Sequence, residues 1–142
     1  MRRASSFAFG LVLCTLILLS RGASALADDA KPSRLFELRT YTTNEGKLDD
    51  LHKRFRDHTN KLFVKHGMEL IGYWTPAEGP ESENTLVYIL AYPDMEARKN
   101  AWKGFLADPD WHAARDASEA NGKIVTKVES KFLNPTDYSP VK

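Results

Sequence analysis

Glu37, Arg39 and Tyr41 stand at i, i+2 and i+4 in a β-prone run. Side chains alternate between the faces of a strand, so a carboxylate, a guanidinium and a phenol share one side. Pointing into an enclosed space, the three would orient a carboxylate or carbonyl ligand. At a contact between two copies of the chain they would form an ion pair instead, and both readings stay open. Three histidines, His52, His58 and His66, fall within or at the end of Gly46–His66, a segment with helical periodicity. On a 3.6-residue wheel His66 lies mid-stripe with Leu48, Phe55 and Leu62, while His52 and His58 lie near the opposite margins. A helix-borne imidazole can act as a general base with an ordinary pKa near 6.5, or as an axial haem ligand. The plainer role for His66, in a last turn before Gly67, is contact with free carbonyls and the helix dipole.

His58 and His66 are eight residues apart, about 12 Å along a helix axis, so one metal ion cannot bridge them. The chain has no Gly-rich phosphate loop, no nucleophile elbow and no His/Asp/Cys cluster of zinc spacing, which removes the commonest hydrolases and nucleotide enzymes. Trp102 and Trp111 read as packing between helix and sheet. Trp74 ends a strand beside a Pro-rich loop, a common place for a pocket rim. Asp108, before Pro109, reads as a helix cap.

The elements that must position these groups follow from period and punctuation. Arg34–Thr42 alternates as a first strand, broken by Asn44-Glu45-Gly46, and one helix then runs to Lys65 with Gly67 as its left-handed stop. Met68–Thr75 and Thr85–Tyr92 are strands flanking a Pro76–Asn84 loop. Asp94 caps a helix carrying Met95, Trp102, Phe105 and Leu106, a short helix follows Asp108-Pro109, and Lys123–Leu133 alternates as a fourth strand after Asn121-Gly122. The order β-α-β-β-α-β predicts an α+β, ferredoxin-like fold with helices on one face of a four-stranded antiparallel sheet. The tail from Asn134, with Pro135 and Pro140, should wander or pack as an arm.

Both faces of the first and third strands are substantially apolar or aromatic, and one layer of helices buries only one of them. A second copy of the same sheet is the economical cover, which predicts a homodimer in the form of a dimeric α+β barrel.

Residues 1–27 read as a removable address. Arg2 and Arg3 precede an apolar run from Phe7 to Leu19, followed by Ala23-Ser24-Ala25 and Ala25-Leu26-Ala27. That is a secretory signal with two small-x-small cleavage sites. The 13-residue run falls short of the roughly 20 residues of a membrane-spanning helix, so no stable membrane anchor is expected and the chain should be secreted or periplasmic. Removal leaves 115 residues, one domain's worth (34–133 plus a tail, 134–142), with 17 basic against 19 acidic side chains. The only cysteine, Cys14, leaves with the signal, which removes thiolate catalysis. Near-neutrality, and Asp49, Asp50 and Asp57 among Lys53, Arg54, Arg56, Lys61 and Lys65, argue against nucleic acid as a partner.

Leu38-Arg39-Thr40-Tyr41, Phe55-Arg56-Asp57-His58-Thr59, Lys65-His66-Gly67, Gly72-Tyr73-Trp74, Arg98 with Trp102, and Asp108-Pro109-Asp110-Trp111 together, in this order and spacing, resemble the NIPSNAP family across Leu35 to Leu133. The resemblance implies a dimeric barrel related to small monooxygenases, haem-degrading enzymes and muconolactone isomerases, and it implies little chemistry. It adds weight to Arg39, Tyr41 and His58 as pocket residues. The mitochondrial and vesicular settings discussed for better-known members do not match an export signal. The expected function is therefore an exported homodimer that binds a small apolar or aromatic ligand or a protein partner, without a cofactor. The alternative is a small cofactor-independent or haem-using monooxygenase or isomerase, with His58 as base or ligand.

Overall fold

The computed structural model describes residues 34–142; the expected signal segment lies outside the described residues. The elements are β1 (Leu35–Thr43), α1 (Leu48–Arg54), a π-helical turn (Phe55–Thr59), α2 (Asn60–Lys65), β2 (Glu69–Trp74), β3 (Thr85–Tyr92), α3 (Met95–Ala107), α4 (Pro109–Ser118) and β4 (Val125–Leu133). All strand pairs are antiparallel in the order β2-β3-β1-β4, the ferredoxin-like arrangement expected from the sequence. No helix among the described residues is long and apolar enough to cross a membrane.

Local chemistry sets the boundaries. Asp94 accepts a hydrogen bond from the Ala97 amide at 2.8 Å, and Asp108 one from the Asp110 amide at 2.9 Å, so each carboxylate caps the helix that follows it. Pro109 then starts α4 where its missing N–H costs nothing. Gly67 has φ 82°, the left-handed geometry that lets the chain leave α2 and enter β2 within a few residues.

The first helix departs from the sequence reading. Phe55–Thr59 forms a π turn, with the Asn60 amide bonded to the Phe55 carbonyl and the Thr59 hydroxyl donating to the Arg54 carbonyl at 3.3 Å. A π turn takes roughly one residue more than an α turn, so everything after Phe55 lags behind α-helical phase. Phe63 replaces Leu62 at the centre of the buried stripe, Thr59 turns inward, and His58 is carried to the exposed edge facing α4.

The core lies between helices and sheet and is dominated by rings. Phe55, Phe63, Tyr88, Trp102 and Phe105 meet at centroid separations of 4.8–6.1 Å, mostly edge to face. Strand register assigns the opposite face. Phe36, Leu38 and Thr40 lie beside Ala91, Ile89 and Val87 on β3, and beside Leu133, Lys131 and Glu129 on β4. The charges on that face are confined to β4, which leaves it less greasy than the strand patterns of β1 and β3 alone suggest. The chain's own tail edges it: Pro135 and Val141 line one groove with Phe36 and Leu133, and Arg34 holds the tail through the Lys142 carbonyl at 2.7 Å.

Candidate functional site

The sequence-level candidates separate into four places. Arg39 and Tyr41, with Glu37, face the helices of their own chain. Their side chains therefore point away from the sheet face that a second copy would cover, and they are bonded within their own chain. Glu37 is fully buried. Its Oε1 accepts from Arg39 Nη1 (2.7 Å), Arg98 Nη2 (2.8 Å) and Ser130 Oγ (2.6 Å), and its Oε2 from Arg98 Nε (3.0 Å), the Tyr92 hydroxyl (3.1 Å) and Trp102 Nε1 (3.1 Å). Arg39 Nε donates to the Tyr88 hydroxyl at 2.9 Å and Nη2 to Tyr41 at 3.4 Å, while the guanidinium lies 4.2 Å from the Trp102 ring centroid. Burial alone would raise the Glu37 pKa, but the hydrogen bonds from Arg98 and Ser130 and the charge of Arg39 outweigh it and hold the carboxyl at about 2. With its acceptors filled from within, this network ties β1, β3, β4 and α3 together.

His66 sits beyond α2, where its Nε2 lies 2.7 Å from Asp108 Oδ2 and its Nδ1 packs against Gly104. Lys65 Nζ is 2.8 Å from the same Asp108 oxygen. Hydrogen bonds from Lys65 and His66 hold the Asp108 carboxyl well below the usual carboxylate range. His66 therefore joins the end of the first helix to the α3–α4 corner, a partner that wheel geometry does not reveal. His58 lies on shallow grooves between the first helix and α4, with Asp57, Ala114 and Ala117. The His66 ring is held between Asp108 and Gly104, whereas His58 stands on an open, charged surface. Among the described residues no three His, Asp or Glu side chains converge as a metal site.

Trp74 is 52% exposed on the open sheet face. Its indole lies across Gly72, where a Cβ would come within 2.5 Å of the ring. Phe36, Ile71, Trp74, Ile89, Leu133 and tail residues line a groove of about 610 Å³. Its walls are largely apolar, and of the sequence-level candidates it contains only Trp74.

A further cleft, of about 210 Å³, lies against the π turn between the first helix and β2 and is lined by His52, Phe55, Arg56, Asn60, Tyr73 and Leu86. Tyr73 stacks on Tyr88 (5.5 Å, 18°) and meets Phe55 edge-on. The Tyr73 hydroxyl and Asn60 Oδ1 are buried without hydrogen-bond partners, a condition that costs about 1–3 kcal/mol for each group. Burial pushes the Tyr73 phenol well above its ordinary pKa, so it remains a donor. Sequence reasoning passed over Asn60, Tyr88 and Ser130 as site residues. Strand alternation puts Tyr88 on a face, but only the pairing register sets it opposite Arg39.

The NIPSNAP family model matches residues 36–140. The chain belongs to the NIPSNAP family. A putative NipSnap protein of Caenorhabditis elegans is 26% identical over 122 residues, covering 78% of this chain and 20% of its own length, so the chain spans about a fifth of that relative. A nipsnap family protein of unknown function from Agrobacterium tumefaciens is 25% identical with TM-score 0.68, covering 79% of this chain and 96% of its own. SnoaB, a cofactor-independent oxygenase from Streptomyces nogalater, is 17% identical with TM-score 0.51, covering 76% of this chain and 98% of its own; that likeness shows the fold alone. This NIPSNAP chain has the family's α+β sheet-and-helix architecture.

Proposed function

We propose that this NIPSNAP protein, exported by its amino-terminal segment, works as a homodimer that binds a small apolar or aromatic ligand in the groove beside Trp74. The supporting observation is the groove itself: about 610 Å³ of space on the open sheet face, walled by Phe36, Ile71, Trp74, Ile89 and Leu133 and edged by the tail. Pockets of this size lined by apolar side chains suit ligands of small-molecule dimensions. A second copy facing the same sheet turns an open groove into an enclosed one, which strengthens apolar contacts by excluding water.

Native mass spectrometry of the purified protein tests both halves at once. The expected result is a dimer carrying a retained small molecule, lost with its mass signature in Trp74→Ala. A ligand-free monomer at micromolar concentration defeats the reading. A second reading, a small cofactor-independent monooxygenase, is favoured by the fold shared with SnoaB, and oxygen consumption with candidate aromatic substrates is its measurement.

A further inference from the structure

We propose that the cleft beside the π turn is a second binding site, on the helix side of the sheet, for a one-ring phenol that carries an acidic group. The site is independent of the groove beside Trp74, which opens on the opposite face. Three observations meet here. First, of the three buried side-chain polar atoms left without a partner among the described residues, two belong to residues lining this one cleft, the Tyr73 hydroxyl and Asn60 Oδ1. Most buried polar groups are paired, so two orphans just behind the wall of one cleft point to a partner that reaches them when that wall opens. Their chemistry is complementary to a single hydroxyl, which accepts from the Tyr73 O–H and donates to the Asn60 carbonyl.

Second, the size suits one ring. Phe55 and Tyr73 touch edge to face (5.8 Å, 70°) and form one continuous aromatic wall, and the cleft beside it is about 210 Å³, whereas an internal cavity of about 150 Å³ is enough for benzene. Third, the cleft carries Arg56, exposed and making no ion pair among the described residues, together with His52. A cation there suits the carboxylate of a ligand whose hydroxyl points inward. The π turn directly precedes Asn60, and π turns inside α-helices occur frequently at functional sites.

The probe is 4-hydroxybenzoate, titrated into the full chain by calorimetry and by amide NMR, with benzoate as the control. We expect 4-hydroxybenzoate to bind at least tenfold more tightly than benzoate and to shift the amides around Asn60 and Tyr73. Tyr73→Phe and Asn60→Leu should each erase that preference while leaving the melting temperature unchanged or higher, because each removes an unpaired buried atom. Arg56→Gln should weaken both acids alike, by several-fold, and Trp74→Ala should change neither affinity. Equal binding of the two acids, or a hydroxyl preference that survives Tyr73→Phe, would overturn the proposal. So would loss of binding in Trp74→Ala, which would put the ligand on the other face, or absence of binding at millimolar concentration.

Discussion

At the scale of single residues, Glu37 is the most densely hydrogen-bonded side chain among the described residues. It is buried, doubly contacted by Arg98 and paired with Arg39, so Glu37→Gln leaves two guanidiniums short of a counter-charge. Breaking a buried pair in this way costs about 3–5 kcal/mol, to be read from urea unfolding at pH 7. The same carboxylate sets an acid limit. Its folded pKa, about 2, lies below its ordinary 4.5, so its contribution is fully present above pH 4.5 and is lost as pH falls toward 2. At about 1.4 kcal/mol per pH unit, the loss is on the order of 3 kcal/mol. Stability measured between pH 5 and 2 should fall steeply in the native chain and more gently in Glu37→Gln. His66 offers a sharper test. A Cβ on Gly104 would lie 2.7 Å from His66 Nδ1, so Gly104→Ala must displace the ring from Asp108 and should cost about 1–2 kcal/mol. In a His66→Ala background the clash is gone, and the same change should stabilise by up to about 1 kcal/mol through helix propensity. Additive effects across the double-mutant cycle would refute the contact.

At the scale of elements, the π turn explains why the first helix buries the residues it does. With the turn in place Leu51, Phe55, Thr59 and Phe63 face the sheet, and deleting one turn residue returns the segment to α geometry with Phe55 and Phe63 still aligned, about seven residues or two turns apart. Deletion of exposed Asp57 should therefore cost about 1 kcal/mol or less. Deletion of Lys103 from regular α3 throws Phe105 out of phase with Trp102 and should cost about 3 kcal/mol or more. Thermal unfolding of the two variants makes the comparison, and equal losses would mean that the turn is not a one-residue insertion. A stripe of apolar residues shows which face of a helix is buried, but not where an extra residue is absorbed. The fully α-helical reading of Gly46–His66 fails at that point, and His58 moves to the rim with it.

At the scale of the whole molecule, the two sheet faces do different work. The helix side is closed by aromatic packing and the Glu37 network. The other side is largely apolar on β1 and β3, charged on β4 through Lys127, Glu129 and Lys131, and edged by the tail. If two copies meet there, a charge at Ile89 is enough to separate them, because an unpaired charge in a buried contact costs more than such an interface gains. Ile89→Glu should sediment as a monomer with an unchanged circular dichroism spectrum, while the native chain sediments as a dimer. A monomeric native chain would leave this face with only the tail at its edge.

Much of this architecture was legible in one dimension because its causes are local. Alternation, helical period, Asp94 and Asp108 as caps, and Gly67 as a stop depend on neighbours within a few residues, and they determine the order of strands and helices and, with the motif order, the family. What tertiary structure decided is where side chains from distant segments meet. Glu37 finds Arg98 and Ser130, His66 finds Asp108, and Tyr73 and Asn60 are closed in without partners, each across gaps that no periodicity encodes. A polar residue on a β-prone run can face a ligand, a second copy or its own helices, and sequence pattern is the same in all three cases. The difference lies in which surface arrives to bury it, and that is set only when the whole chain has packed.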